Sequence, residues 1–202
     1  MLPDIVSNYS YRTGEIVKVH VAKLKESQHA NCNQIAEGVK QHYFTDAHFH
    51  VSDFFTKNTK GIEQSIQGLP FTCFTKRLFA FSHVLLEIML DRKLLKEQQQ
   101  VCDTFYSMLQ QVDLAVLEQF LIENTKAKHP GKAAEHFSTF CRRRFIYEYL
   151  ENDVVSEMLN RINQRIGNPP FSASDYIHFN TLIHEIDEEL YSQKFPKFLP
   201  EK

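Results

Sequence analysis

Apolar residues recur along most of this chain at helical spacing, separated by short groups of turn-forming residues. Pro3 and Gly14 bracket a short first element. The pattern predicts a helix over 15–27, although Val17, Val19 and Val21 alternate and would equally suit a strand. A long helix is expected over 33–55 and another up to residue 67, where Gly68-Leu69-Pro70 stops it. Residues 75–99 are apolar nearly all round and read as the buried central helix, with Leu78 to Leu95 as its core. A helix over 112–126 follows, with Asp113 as a possible cap, and His129-Pro130-Gly131 breaks it. Helices over 132–150 and 154–165 come next. Gly167-Asn168-Pro169-Pro170 is the strongest break, after which Ser172 or Ser174 caps a last helix to about residue 193. The expectation is an all-α protein, a single helical-bundle domain over 1–202.

Composition strengthens that expectation. Six glycines and seven prolines in 202 residues are few; average usage is about 7% and about 5%. Sandwiches and barrels need more frequent turns. Lys and Arg number 23 against 25 Asp and Glu, a net charge of −2. That balance offers no overall attraction to nucleic acid or an anionic membrane. The longest apolar stretch, Leu78 to Leu90, contains Ser82, His83 and Glu87 and falls short of a span of about 20 residues. Met1-Leu2-Pro3-Asp4 has no signal-peptide character. A cytoplasmic protein with neither nucleic-acid nor membrane partners is expected. Cys32, Cys73, Cys102 and Cys141 form no CxxC pair and are expected to be buried, reduced thiols.

Candidate chemistry lies in two polar ladders. Within the central helix one narrow line is polar: His83, Glu87 and Asp91, at i, i+4 and i+8. Buried carboxylates need compensation, from water on an exposed face or from an ion or polar site facing inward. In the preceding long helix, Ile35 and Val39 begin an apolar line that continues as His42, Asp46 and His50, with Asp53 further on. Imidazole and carboxylate are ligands for Zn, Mn, Fe or Mg. A competing stripe, Phe44, Ala47, Val51 and Phe54, could be the core face instead, leaving this ladder to solvent. Arg142-Arg143-Arg144 reads as a solvated shoulder or a docking patch for an acidic partner, and His178 and His184 as surface residues. No GxSxG, P-loop, GxGxxG after a strand, or HExxH occurs.

At these residues the chain resembles the acyl carrier protein phosphodiesterase family, a helical branch related to HD-domain metal hydrolases. Gly38-Val39-Lys40-Gln41-His42 followed by Asp46 is similar to the family's G-[IV]-x-x-H-x-x-x-D segment. Glu87-Ile88-Met89-Leu90-Asp91-Arg92-Lys93-Leu94 resembles an acid followed by Asp-His-Phe-Leu, with Arg92 in place of the histidine. Leu2-Pro3-Asp4-Ile5 resembles an early Leu-Ala-Asp-Phe. Phe145-Ile146-Tyr147-Glu148-Tyr149 and Tyr191-Ser192-Gln193-Lys194-Phe195-Pro196 resemble two late aromatic motifs. The resemblance implies an HD-like fold, and the family's first element, with its own histidine, is expected to be missing ahead of Met1. It implies metal ligands at Asp4, His42, Asp46 and Asp91, with Glu87 as an acid that supports them from behind and His50 where the family has another Asp. It further implies a divalent metal, typically Mn²⁺, acyl carrier protein as partner, and hydrolysis of the phosphodiester joining 4′-phosphopantetheine to the carrier serine. His83 or His50 is the candidate acid for the leaving alkoxide, and Arg92 a candidate phosphate contact. The alternative is a helical binding module of the same fold, its site eroded at Arg92.

Overall fold

A computed structural model describes residues 1–195, and among them there is no strand. Nine α-helices run in order among the described residues: α1 (Leu2–Thr13), α2 (Ala30–His50), α3 (Asp53–Gly68), α4 (Leu78–Glu97), α5 (Gln99–Gln110), α6 (Leu114–Asn124), α7 (Pro130–Arg143), α8 (Asn152–Arg165) and α9 (Ala173–Ser192). Short 3₁₀ segments occupy Val21–Lys23 and Phe145–Leu150. The chain is all-α, as the spacing predicts. The described residues gather into two compact units interleaved along the sequence. The first is Met1–His48 with Asp103–Arg144, and the second is Phe49–Cys102 with the described residues from Phe145 onward.

The first unit is built on α1, α6 and α7 with most of α2. Pro3 sits in the first turn of α1, where its missing N–H is no loss, and Gly14 closes the helix at φ 72°. No helix forms over 15–27 beyond one 3₁₀ turn, which corrects that expectation. The period of two wins because Val17 and Val19 are both buried while Lys18 and His20 are exposed. The Ser10 hydroxyl takes the part of a neighbouring strand, accepting from the Val17 N–H at 2.8 Å. Ile5, Val6, Val39, Leu117, Phe120 and Phe137 are among the residues that fill this core.

The second unit is organised by α4, which packs against α3, α8, α9 and the Phe145–Leu150 segment. Phe81, Leu85, Leu86 and Met89 are fully buried on it, so the central-helix expectation holds within this unit. Its entry is fixed by Asn168, whose side-chain oxygen accepts from the Thr75 and Lys76 N–H groups and the Thr75 hydroxyl. Asn168 in turn donates to the Lys76 carbonyl and to Asn163. The Gly-Asn-Pro-Pro break is therefore also the anchor of the loop that launches α4. Ser172 caps α9 in a reciprocal capping box with Asp175.

Three boundaries differ from the sequence expectation. The helix expected over 33–55 ends at His50, because Ser52 caps a new helix through its hydroxyl, which accepts the Phe55 N–H at 3.1 Å. The helix expected over 132–150 stops at Arg143, where Arg144 turns left-handed at φ 49° and the chain tightens into 3₁₀. Helix α5 carries no clear signal in the sequence. Its polar start, Gln98-Gln99-Gln100, obscures the buried positions Cys102 and Tyr106. All four cysteines are buried and outside any disulfide, and burial together with the Asp175 charge pushes Cys73 up to about 12. Of the late aromatic motifs, Pro196 lies outside the described residues.

Candidate metal centre

The turn at Val51-Ser52 leaves His50 as the last residue of α2, and α4 presents His83 and Glu87 one turn apart on one face. These three side chains meet. His50 Nε2 and His83 Nε2 lie 2.7 Å apart, His83 Nε2 and Glu87 Oε1 3.0 Å, and His50 Nε2 and Glu87 Oε1 3.3 Å. All three are half-buried and all belong to the second unit. Among the described residues this is the only group of three His, Cys, Asp or Glu residues whose ligand atoms all lie within 4.8 Å of one another. Phe55 of α3, itself buried, packs edge-on against both imidazoles, with ring centroids 4.8 Å from His50 and 5.0 Å from His83. It limits the rotation of each ring.

The triangle has three short edges, and each neutral imidazole can place at most one proton on its pair of nitrogens. Hydrogen bonding along all three edges at once is therefore impossible while both rings are neutral and each Nε2 carries at most one proton. A cation at the centre satisfies all three lone pairs together. A tetrahedral ion with bonds near 2 Å spaces its ligand atoms by about 3.3 Å. The observed edges reach that value by movements of a few tenths of an ångström. Two imidazoles and one carboxylate are also the donor set of a catalytic site that keeps a fourth position open. The residues fit a divalent metal.

The residues proposed from sequence fall into separate groups. Asp4, His42 and Asp46 belong to the first unit and Asp91 to the second. Asp4 Oδ2 lies 3.5 Å from His42 Nε2, and the Met1 ammonium lies 2.6 Å from His42 Nδ1. Burial, and after it the Met1 charge, lower the His42 pKa against the opposing pull of Asp4 and Asp46. The inward face of α2 is the ladder rather than the competing stripe. Val39 is buried and His42, Asp46 and His50 are half-buried, whereas Phe44, Ala47 and Val51 are exposed. Asp53 does not extend the ladder; it starts α3, exposed, where its charge suits the helix N-terminus. Asp91 follows Glu87 on the α4 ladder, and burial, with the Glu87 charge second, pushes its carboxyl up to about 7.

Arg92 is not part of the trio. Its Nε lies 3.1 Å from Asp187 of α9, and it donates to Asn152 at 2.6 Å. Both charges are largely withdrawn from solvent, so this pair fastens α4 to α9 and to the start of α8. Arg92→Ala is expected to destabilise the protein by about 2 kcal/mol in urea denaturation while leaving metal affinity unchanged. Of the Arg142–Arg144 run, Arg144 pairs with Asp103 at 2.6 Å and lies over the Tyr106 ring, while Arg142 and Arg143 are exposed. His184 is exposed as expected.

Sequence spacing picks out both ladders, and the structure brings His50, His83 and Glu87 together. The sequence makes His83 and His50 candidate acids, with His50 also at a ligand position by resemblance, and gives Glu87 a supporting role. The available signals were the i, i+4 pair His83/Glu87 and the Ser52-Asp53 cap just after His50. No family model, no curated protein and no solved structure matches the chain. Among the described residues no helix is long and apolar enough to cross a membrane.

Proposed function

We propose that this chain is a metal-dependent phosphodiesterase of HD-domain-like architecture. His50, His83 and Glu87 hold a divalent ion, Mn²⁺ by resemblance, and the substrate is the phosphodiester between 4′-phosphopantetheine and the serine of acyl carrier protein. The convergence of His50, His83 and Glu87 supports this reading. Substrate and carrier partner rest on the resemblance of the two ladder segments. A divalent ion in such a site lowers the pKa of water and neutralises phosphoryl charge. The chain's part is to present two Nε2 atoms and one Oε1 at a single point, with Phe55 holding both rings in place. Engaged through Nε2, the two imidazoles act as holders of the ion rather than as acids.

The test is metal analysis of the purified protein and titration with Mn²⁺ and Zn²⁺, followed by conversion of holo- to apo-carrier. One ion per chain and release of phosphopantetheine are expected. Absence of stoichiometric binding of either ion would end the metal reading. Binding without carrier conversion would end the substrate reading alone.

A further inference from the structure

The α4 ladder has a fourth rung. Phe79 stands four residues before His83, so Phe79, His83, Glu87 and Asp91 form one line along the helix. Three members of that line are polar and half-buried. Phe79 is apolar and 56% exposed, in the first turn of a helix whose other aromatic residue, Phe81, is fully buried. A single exposed apolar side chain is ordinary on a protein surface. Phe79 is set apart by its neighbours. Its ring centroid lies 6.2 Å from the His83 ring and 6.4 Å from the ring of Phe55, the residue that clamps both imidazoles. One side of Phe79 is thus anchored against the trio, and the rest of the ring is open to solvent beside it.

We infer that Phe79 is a specificity-determining residue that receives the apolar arm of the phosphoester held at the trio. This rests on the reading that His50, His83 and Glu87 hold the ion that binds the phosphoryl group. In 4′-phosphopantetheine the carbon bearing two methyl groups is three bonds from phosphorus. A ligand whose phosphate sits at the trio brings that branched, apolar carbon within reach of the neighbouring aromatic ring. Contact removes apolar surface of both partners from water, which favours a branched arm over a small one. The ionic part of the site meets the phosphate identically in both cases, so Phe79 governs the preference between arms rather than the affinity for phosphate.

The experiment uses the full chain loaded with Mn²⁺ or Zn²⁺ and two probes, 4′-phosphopantetheine and methyl phosphate, with Kd measured calorimetrically for wild type, Phe79→Ala and Phe79→Leu. Wild type is expected to prefer phosphopantetheine by about tenfold, equivalent to about 1.4 kcal/mol. Phe79→Ala should bring the two Kd values within about twofold while metal affinity and methyl phosphate binding stay at wild-type levels. Phe79→Leu, which keeps an apolar group, should retain most of the preference. Equal binding of the probes by wild type, or an undiminished preference in Phe79→Ala, overturns the inference. So does a loss of metal or of both probes in Phe79→Ala, which would make the residue structural. Failure of wild type to bind metal removes the site reading and this inference together; metal binding without a preference removes this inference alone.

Discussion

Replacing His83 by alanine should lower affinity for a divalent ion by about a hundredfold or more and reduce metal-dependent turnover by roughly a thousandfold. His83 is the vertex shared by the two shorter edges of the triangle, its Nε2 lying 2.7 Å from His50 Nε2 and 3.0 Å from Glu87 Oε1. Without it two ligands remain, from α2 and α4, too few to close a four-coordinate shell around one open position. Glu87→Gln keeps the shape and removes the negative charge, so a smaller loss of affinity in the same direction is expected. Thermal unfolding with and without ion checks this independently of any substrate. A ligand that binds only the folded chain raises Tm by an amount that grows with the logarithm of its affinity. Wild type should shift upward with metal, and His83→Ala should not. Equal shifts in the two proteins would remove His83 from the ligand set.

The largest stability effect should come from Asp175. Its carboxylate is fully buried. It accepts from the Thr72 N–H at 2.7 Å and the Thr72 hydroxyl at 2.9 Å, and from the Ser172 N–H at 2.8 Å and the Ser172 hydroxyl at 2.7 Å. Burial alone would raise the pKa. The donors from Ser172 and Thr72 overcome it and hold the group down to about 2. Asp175→Ala removes the capping box of α9 and the tie to the 69–77 loop together, and about 3 kcal/mol or more should be lost. The pH dependence follows from the depressed pKa. The unfolded carboxyl titrates near 3.8, so this contribution is fully present above that pH. It is lost as pH falls toward about 2, where the folded group also takes up its proton. Denaturation midpoints measured between pH 5 and pH 2 should show a loss of roughly 2 kcal/mol in wild type. Asp175→Asn should lack most of that loss. An unchanged acid profile in the variant would show that other carboxylates control it.

The sequence by itself determined that this chain is helical, and where several helices begin and end. Those signals are local. Pro3, Gly14, Asp113, Pro130 and Ser172 act on the few backbone groups beside them, and the structure uses each at or next to a helix end. The all-apolar circumference of residues 78–95 forecast a buried helix, because hydrophobic burial depends on composition around the axis and not on the identity of the neighbour. Local signals in conflict were decided elsewhere. Val17 and Val19 follow the strand-like period because the Ser10 side chain pairs with Val17 and both valines enter a core made by distant helices. The polar ladders were legible for the same reason as the helices: spacing places residues on a face. Which rungs meet was not legible. His50 reaches His83 and Glu87 because Ser52 ends α2 there and α3 returns Phe55 against both rings. Arg92 turns to Asp187 and Asn152, residues far away in sequence. A helical period fixes direction about one axis only. Distance between side chains on two helices depends on packing, and that was decided by the tertiary structure.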